Sequence, residues 1–305
     1  MTDIIIIGGG PAGLSAAIYA LRANKTVLLF EKMFVGGQAA MTPEIENYPG
    51  FLNIGGADLS YKMLEQAEKL GLEIRYDEVV GLDITGEVKT ILTVSGKEEC
   101  KAVILASGAV VKKLNIEGEK ELIGKGVSYC ATCDGNFFKN KTVAVVGGGK
   151  TSLDDCIYLS GLCKKVFLIH RRDVFSGNSE ALKKVMANSC CEEAKIELVL
   201  NSVATKINGS EKLESVDVLN KITNESRNIK IDGIFIAVGR RPESSLIGNE
   251  LEVDELGYVL TNEKMETNLK GVFVAGDVRK SPLKQVVTAC SDGAIAGNFA
   301  AEYVK

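Results

Sequence analysis

The same glycine turn occurs twice in this chain, and that repetition constrains its fold more than any other feature. At a constant shift of 139 residues, with no gap, Gly8, Gly9 and Gly10 fall on Gly147, Gly148 and Gly149. Leu14 falls on Leu153, Ile18 on Ile157, Tyr19 on Tyr158, Val27 on Val166 and Leu29 on Leu168. Each copy reads as a short apolar strand, a glycine turn, an amphipathic helix and a second apolar strand, which is the opening of a βαβ unit. Alternating segments with turn signals follow at residues 74–94 and 196–219. Each copy then ends in an apolar strand running into glycine, at 102–108 and 233–239.

Past Pro242 there is no third turn of this kind. Residues 272–275 read as an apolar strand, Gly276 and Asp277 as a turn, and 283–303 as a closing helix. A lone strand and helix cannot bury their apolar faces, so they must complete one of the two repeats. The expected fold is α/β, with two dinucleotide-binding, three-layer Rossmann-like domains, the second inserted into the first. Residues 1–112 plus 242–305 form the first, discontinuous domain, and 113–241 form the second. A chain of 305 residues suits two domains, and 46% hydrophobic with 25% charged residues suits two buried cores.

Composition also excludes some functions. With 36 basic and 40 acidic residues the net charge is −4, so no global field calls for nucleic acid or an anionic membrane. Residues 4–21 hold no charge, yet Gly8, Gly9, Gly10, Pro11 and Gly13 interrupt them and no basic flank precedes them. A turn between strand and helix explains this stretch better than a membrane span or signal sequence, and the expected location is cytoplasmic. Eight cysteines in a chain of this size do not make a secreted disulfide scaffold. With His170 the only histidine, and only Cys130 and Cys133 at the two-residue gap of zinc sites, no metal is expected.

The two turns differ in what they can hold. In the first, Gly8-x-Gly10-x-x-Gly13 lets the backbone approach a pyrophosphate lying against the positive end of the helix. Glu31, at the end of the second strand, is placed to accept hydrogen bonds from a ribose. In the second copy the position of Glu31 is taken by His170, followed by Arg171 and Arg172. Losing the acid and gaining two guanidinium groups suits a ribose with a 2′-phosphate, hence NADP(H), with Gly147 and Gly149 at its pyrophosphate. Ser152 stands where Gly13 stands in the first copy, and Lys150 where Pro11 stands. A dinucleotide fold that has lost its ligand is the alternative for this copy.

Cys130-Ala131-Thr132-Cys133-Asp134-Gly135 carries the sharpest chemical signal. Two residues between cysteines suit a reversible disulfide at a helix start, where the dipole lowers thiol pKa values; the alternative is a pair of buried thiols. Asp134 offers a carboxyl that can pass protons if burial raises its pKa. Adjacent Cys190 and Cys191 read instead as two unrelated thiols, because a bridge between neighbours is strained.

With these blocks in place the chain resembles the low-molecular-weight bacterial thioredoxin reductases over essentially its whole length. The matching blocks are IIIIGGGPAGLSAAIYA, VGGQ, IENYPG, LASGA, CATCDG, VVGGG, LIHRRD, GIFIAVGRRP, GVFVAGD and GAIAG. The resemblance implies FAD in the first domain, contacted by Gly8, Gly10, Ala12, Gly13, Glu31, Gly37, Gln38, Asn47, Gly108, Asp277, Gln285 and Val286. It implies that Cys133 receives electrons from the flavin, that Cys130 attacks the disulfide of thioredoxin, and that Asp134 acts as the acid. It also implies a homodimer with rotating domains and NADPH as donor. Three features depart from the family pattern: alanine has become Ser152, a third arginine has become Ser176, and the acidic pair of the next helix is shortened to Asp154 and Asp155. These departures point to a second donor, reduced ferredoxin, used by family members that have lost pyridine nucleotides. Two further readings stay open: a glutaredoxin-like or peroxide-reducing acceptor system, and a flavin-binding redox sensor without turnover.

Overall fold

The computed structural model describes residues 1–42, 44–175, 180–189, 194–243 and 246–305. The chain forms two compact units, Met1–Val110 with Arg241–Lys305, and Val111–Arg240.

The first unit opens with β1 (Thr2–Ile7), α1 (Pro11–Arg22), β2 (Val27–Glu31), α2 (Gly37–Ala40), α3 (Gly56–Glu68) and β3 (Glu73–Tyr76). β4 (Val79–Asp83), β5 (Lys89–Thr93) and β6 (Lys97–Leu105) complete its first half. Four isoleucines in a row make β1 a strand buried on both faces. Ile4 and Ile6 pack under the helices, while Ile5 and Ile7 pack against the opposite core. β1 pairs in parallel with β2 and β6. β6 serves two ladders along its length, antiparallel to β5 over Lys97–Cys100 and parallel to β1 beyond.

The strand β7 (Ala109–Val111) leads into the second unit, which begins with β8 (Val127–Ser128), α4 (Ala131–Asp134), β9 (Thr142–Val146), α5 (Lys150–Leu162) and β10 (Lys165–Ile169). It continues through α6 (Glu180–Ala187), β11 (Ile196–Val199), β12 (Ser202–Gly209), β13 (Leu213–Asn220), β14 (Ser226–Lys230) and β15 (Gly233–Ile236). Its parallel sheet has the order β11-β10-β9-β15-β8, and β12-β13-β14 form a separate antiparallel sheet. The repeat extends to register: Ile4 pairs with Val27 in the first unit as Val143 pairs with Val166 in the second.

The chain returns through β16 (Arg240–Pro242), paired with β7, to β17 (Val272–Val274) and α7 (Val286–Tyr303). β17 joins the first sheet beside β6, and the first unit has the strand order β3-β2-β1-β6-β5-β4. The units divide at Val110 and Arg240, slightly before the residues 112 and 241 expected from sequence. The closing helix begins at Val286 rather than 283. Gln285 is extended (φ −139°) and caps it, exchanging hydrogen bonds with Thr288 in a capping box.

α1 and α7 lie backbone to backbone. A Cβ on Gly293 would sit 2.0 Å from the Ala12 carbonyl, and one on Gly297 2.3 Å from that of Ala16. Small residues at these positions bring the first half of α1 against the middle of α7.

Candidate functional site

The first glycine turn is built as the motif requires. Gly8 has φ +106°, and a Cβ there would be 2.4 Å from the Ala106 carbonyl. A Cβ on Gly13 would come within 1.9 Å of the Gly8 carbonyl, so helix and strand meet only without a side chain. Gly10 caps α1 in an extended conformation and faces open space, leaving the helix start bare for an anion. Glu31 accepts hydrogen bonds from the amides of Gly9 (2.8 Å) and Met33 (3.0 Å), which hold its carboxylate beside the turn.

The other predicted contacts gather around this point. The Gly36 amide donates to the Gly9 carbonyl at 2.8 Å, setting Gly37 beside Gly10. Gln38 donates to the Ala109 carbonyl, next to Gly108, whose φ of +77° suits glycine. Asn47 donates to the Gln285 side chain at 3.0 Å, immediately before Val286. Asp277 follows Gly276, where a Cβ would lie 2.8 Å from that of Ala12. Sequence reasoning missed what fixes this last turn. Arg279 grips Asp292 of α7 through two hydrogen bonds of 2.7 and 2.8 Å, and Asp292 also accepts the Gly276 amide at 3.2 Å. Thirteen residues separate the ion pair, too far for a local signal.

The second turn repeats the plan with altered chemistry. Gly149 caps α5 and faces open space, as Gly10 does. Ser152, fully buried, turns its hydroxyl back to the Gly149 carbonyl at 2.8 Å. The Gly147 backbone shifts to make room, with φ +158° against +106° at Gly8. His170 takes the place of Glu31: its ring lies against Gly148, stacks on Phe175 at 4.9 Å and contacts the Val174 carbonyl at 3.1 Å through Nε2. Arg171 and Arg172 are exposed, with no ion pair among the described residues. Ser176, Cys190 and Cys191 lie outside the described residues.

Cys130 and Cys133 form a disulfide with Cα atoms 5.3 Å apart. Cys130 occupies the extended position before α4, Cys133 lies on α4 and Asp134 ends it. Burial pushes the Asp134 carboxyl above its usual pKa, partly opposed by a 2.6 Å hydrogen bond from Ser128. Ser128 was missed from sequence, since a two-residue strand leaves no alternation to read. Among the described residues no group of three or more His, Cys, Asp or Glu could hold a metal, and no helix is long and apolar enough to cross a membrane.

Residues 2–293 match the model of the pyridine nucleotide-disulphide oxidoreductase family. The chain is 41% identical to a thioredoxin reductase of Bacillus subtilis, over 99% of this chain and 95% of that protein. It superposes on the thioredoxin reductase of Streptococcus pyogenes with a TM-score of 0.92, at 38% identity, covering 99% of this chain and 98% of that one. It also matches a ferredoxin-flavin thioredoxin reductase of Clostridium acetobutylicum, with a TM-score of 0.52 and 32% identity, covering 99% and 97%. Two Rossmann-like glycine turns, a disulfide beside a half-buried acid, and likeness at this level over the whole chain place it in the pyridine nucleotide-disulphide oxidoreductase family.

Proposed function

We propose that the chain is a thioredoxin reductase that carries electrons from NADPH through FAD and the Cys130–Cys133 disulfide to thioredoxin. The observation that carries this reading is the closed disulfide at the head of the second dinucleotide fold, with a half-buried acid on the same turn.

The first unit fits FAD. Gly8, Gly10, Ala12, Gly13 and the start of α1 would hold the pyrophosphate, and Glu31 a ribose. Gly37, Gln38, Asn47, Gly108, Asp277, Gln285 and Val286 line the remainder of the site. Bound FAD supplies the electron pair that opens the disulfide. Opening it takes two electrons and two protons. Cys130 leaves as a thiolate and takes the Asp134 proton, while Cys133 takes the second proton from water and ends as a thiol. In the next step Cys130 returns its proton to the Asp134 carboxylate and, as a thiolate, attacks a sulfur of the thioredoxin disulfide; the sulfur that leaves takes the Asp134 proton, and a mixed disulfide remains. Cys133 then loses its proton and attacks Cys130, restoring the Cys130–Cys133 bond; the second thioredoxin sulfur leaves and takes up a proton, which completes the dithiol.

In the second unit Gly147, Gly149 and the start of α5 suit a pyrophosphate, and Arg171 with Arg172 suit a 2′-phosphate. The buried Ser152 hydroxyl at that turn favours a second reading, in which reduced ferredoxin is the donor. An anaerobic titration of the yellow protein with NADPH separates the two. Bleaching of the flavin near stoichiometry supports NADPH. No bleaching, in a protein that reduced ferredoxin bleaches, supports the protein donor. The double variant Ser152→Ala, Ser176→Arg adds a second arm: activity rises if NADPH is a weakly held donor. Glutaredoxin-like proteins assayed beside thioredoxin test the choice of acceptor. Loss of partner reduction in Cys133→Ser excludes a sensor without turnover. The expected assembly is a cytoplasmic homodimer, checked by sedimentation.

A further inference from the structure

We propose that Ser128 is a positioning residue that lets Asp134 take up and release its proton without leaving a buried polar atom unpaired. The proposal rests on the reading of Asp134 as the proton donor to Cys130. Ser128 ends β8 and is 5% exposed. Its Oγ donates to Asp134 Oδ2 at 2.6 Å, accepts the Cys130 amide at 3.1 Å and lies 3.3 Å from the Cys130 carbonyl. A hydroxyl has one proton and two lone pairs, so it can serve either state of its neighbour. When Asp134 is a carboxylate, the Ser128 proton points to it. When Asp134 is protonated, the carboxyl donates to Oγ and the Ser128 proton turns to the Cys130 carbonyl. That carbonyl already accepts the Asp134 amide at 3.1 Å and has a second lone pair free for it. Every group is paired in both states, which a half-buried acid that cycles its proton needs and a fixed donor could not supply.

The surroundings leave this control to Ser128. Burial raises the Asp134 pKa and the Ser128 hydrogen bond lowers it, with no charged group among the causes. None of the titratable groups on the neighbouring elements is among those causes. On α5, Lys150 pairs with Asp154, and Asp155 is coupled to Asp154 and Arg240. Cys156 is fully buried, and Tyr158 faces Gly135. Ahead of α4, Tyr129 donates to Glu119 at 2.8 Å.

The test is a pH titration of the oxidised holoenzyme by infrared difference spectroscopy, following the protonated-carboxyl band that Asp134→Asn deletes. Ser128→Ala should raise its midpoint by about one pH unit, the worth of one hydrogen bond to a charged group. Ser128→Gly removes the same hydroxyl and should shift the midpoint alike, so a folding defect in one variant leaves the test standing. Ser128→Thr should keep the wild-type midpoint. The alkaline limb of thioredoxin reduction should move with the band. An unchanged midpoint in both Ala and Gly variants, or a Thr variant that shifts as they do, overturns the proposal. If Asp134→Asn leaves the rate and its pH profile intact, the acid role itself falls, while the infrared midpoints still report on the hydrogen bond.

Discussion

Burial raises the Asp134 pKa, which favours the protonated carboxyl that an acid beside a disulfide needs. Because its folded pKa is raised, proton donation is complete at low pH and is lost as pH rises through that value. Asp134→Asn should therefore lower the rate of thioredoxin reduction about 100-fold or more and remove the alkaline limb, as read by a pH–rate profile. The Arg279–Asp292 pair is a different kind of residue feature, since it touches no reacting sulfur. Arg279→Leu leaves a carboxylate buried without its partner and frees the turn that carries Asp277. Urea unfolding should show a loss of about 3–5 kcal/mol, with weaker flavin retention on dialysis. Cys130, Cys133 and Asp134 were legible in the sequence because their chemistry is written in adjacent letters. Ser128, Arg279 and Asp292 were not, because their partners are assembled by the fold.

Among the elements, the contact of α1 with α7 is set by backbone rather than side chains. Alanine is the better helix former, yet Gly297→Ala drives a methyl into the Ala16 carbonyl. The expected cost is about 1–3 kcal/mol, measured as a lower urea midpoint together with reduced flavin content. α5 carries a pH-dependent cost of its own. Burial, then Asp154, push Asp155 up to about 6 from 3.8, with Arg240 opposing. The folded form binds the proton more tightly than the unfolded chain. The contribution of Asp155 to stability is therefore highest below about pH 4, falls as pH rises towards 6, and is flat above. Asp155→Asn should gain on the order of 2 kcal/mol at pH 7 and nothing at pH 3.5 in paired urea titrations. The elements themselves were largely readable, since glycine turns between apolar runs mark strand and helix. The start of α7 was misplaced because the capping exchange of Gln285 with Thr288 resembles ordinary helical sequence until its geometry is seen.

At the scale of the molecule, one plan used twice acts as its own control. The units share strand register and cap geometry, so what differs at the turns bears on ligand rather than on fold. Replacing Arg171 and Arg172 by alanine should raise KM for NADPH at least about tenfold with kcat held. NADH kinetics should change little in the same variant. Insertion also imposes an order in time. A ribosome delivers β8 to β15 before β17 and α7, yet the first unit draws its final strand, and the helix under which α1 packs, from those later residues. The unit whose first residues are made first is therefore completed second. During synthesis the disulfide-bearing unit can close its own sheet while the flavin cradle still waits for its floor, so capture of the flavin is a late event in the life of each chain.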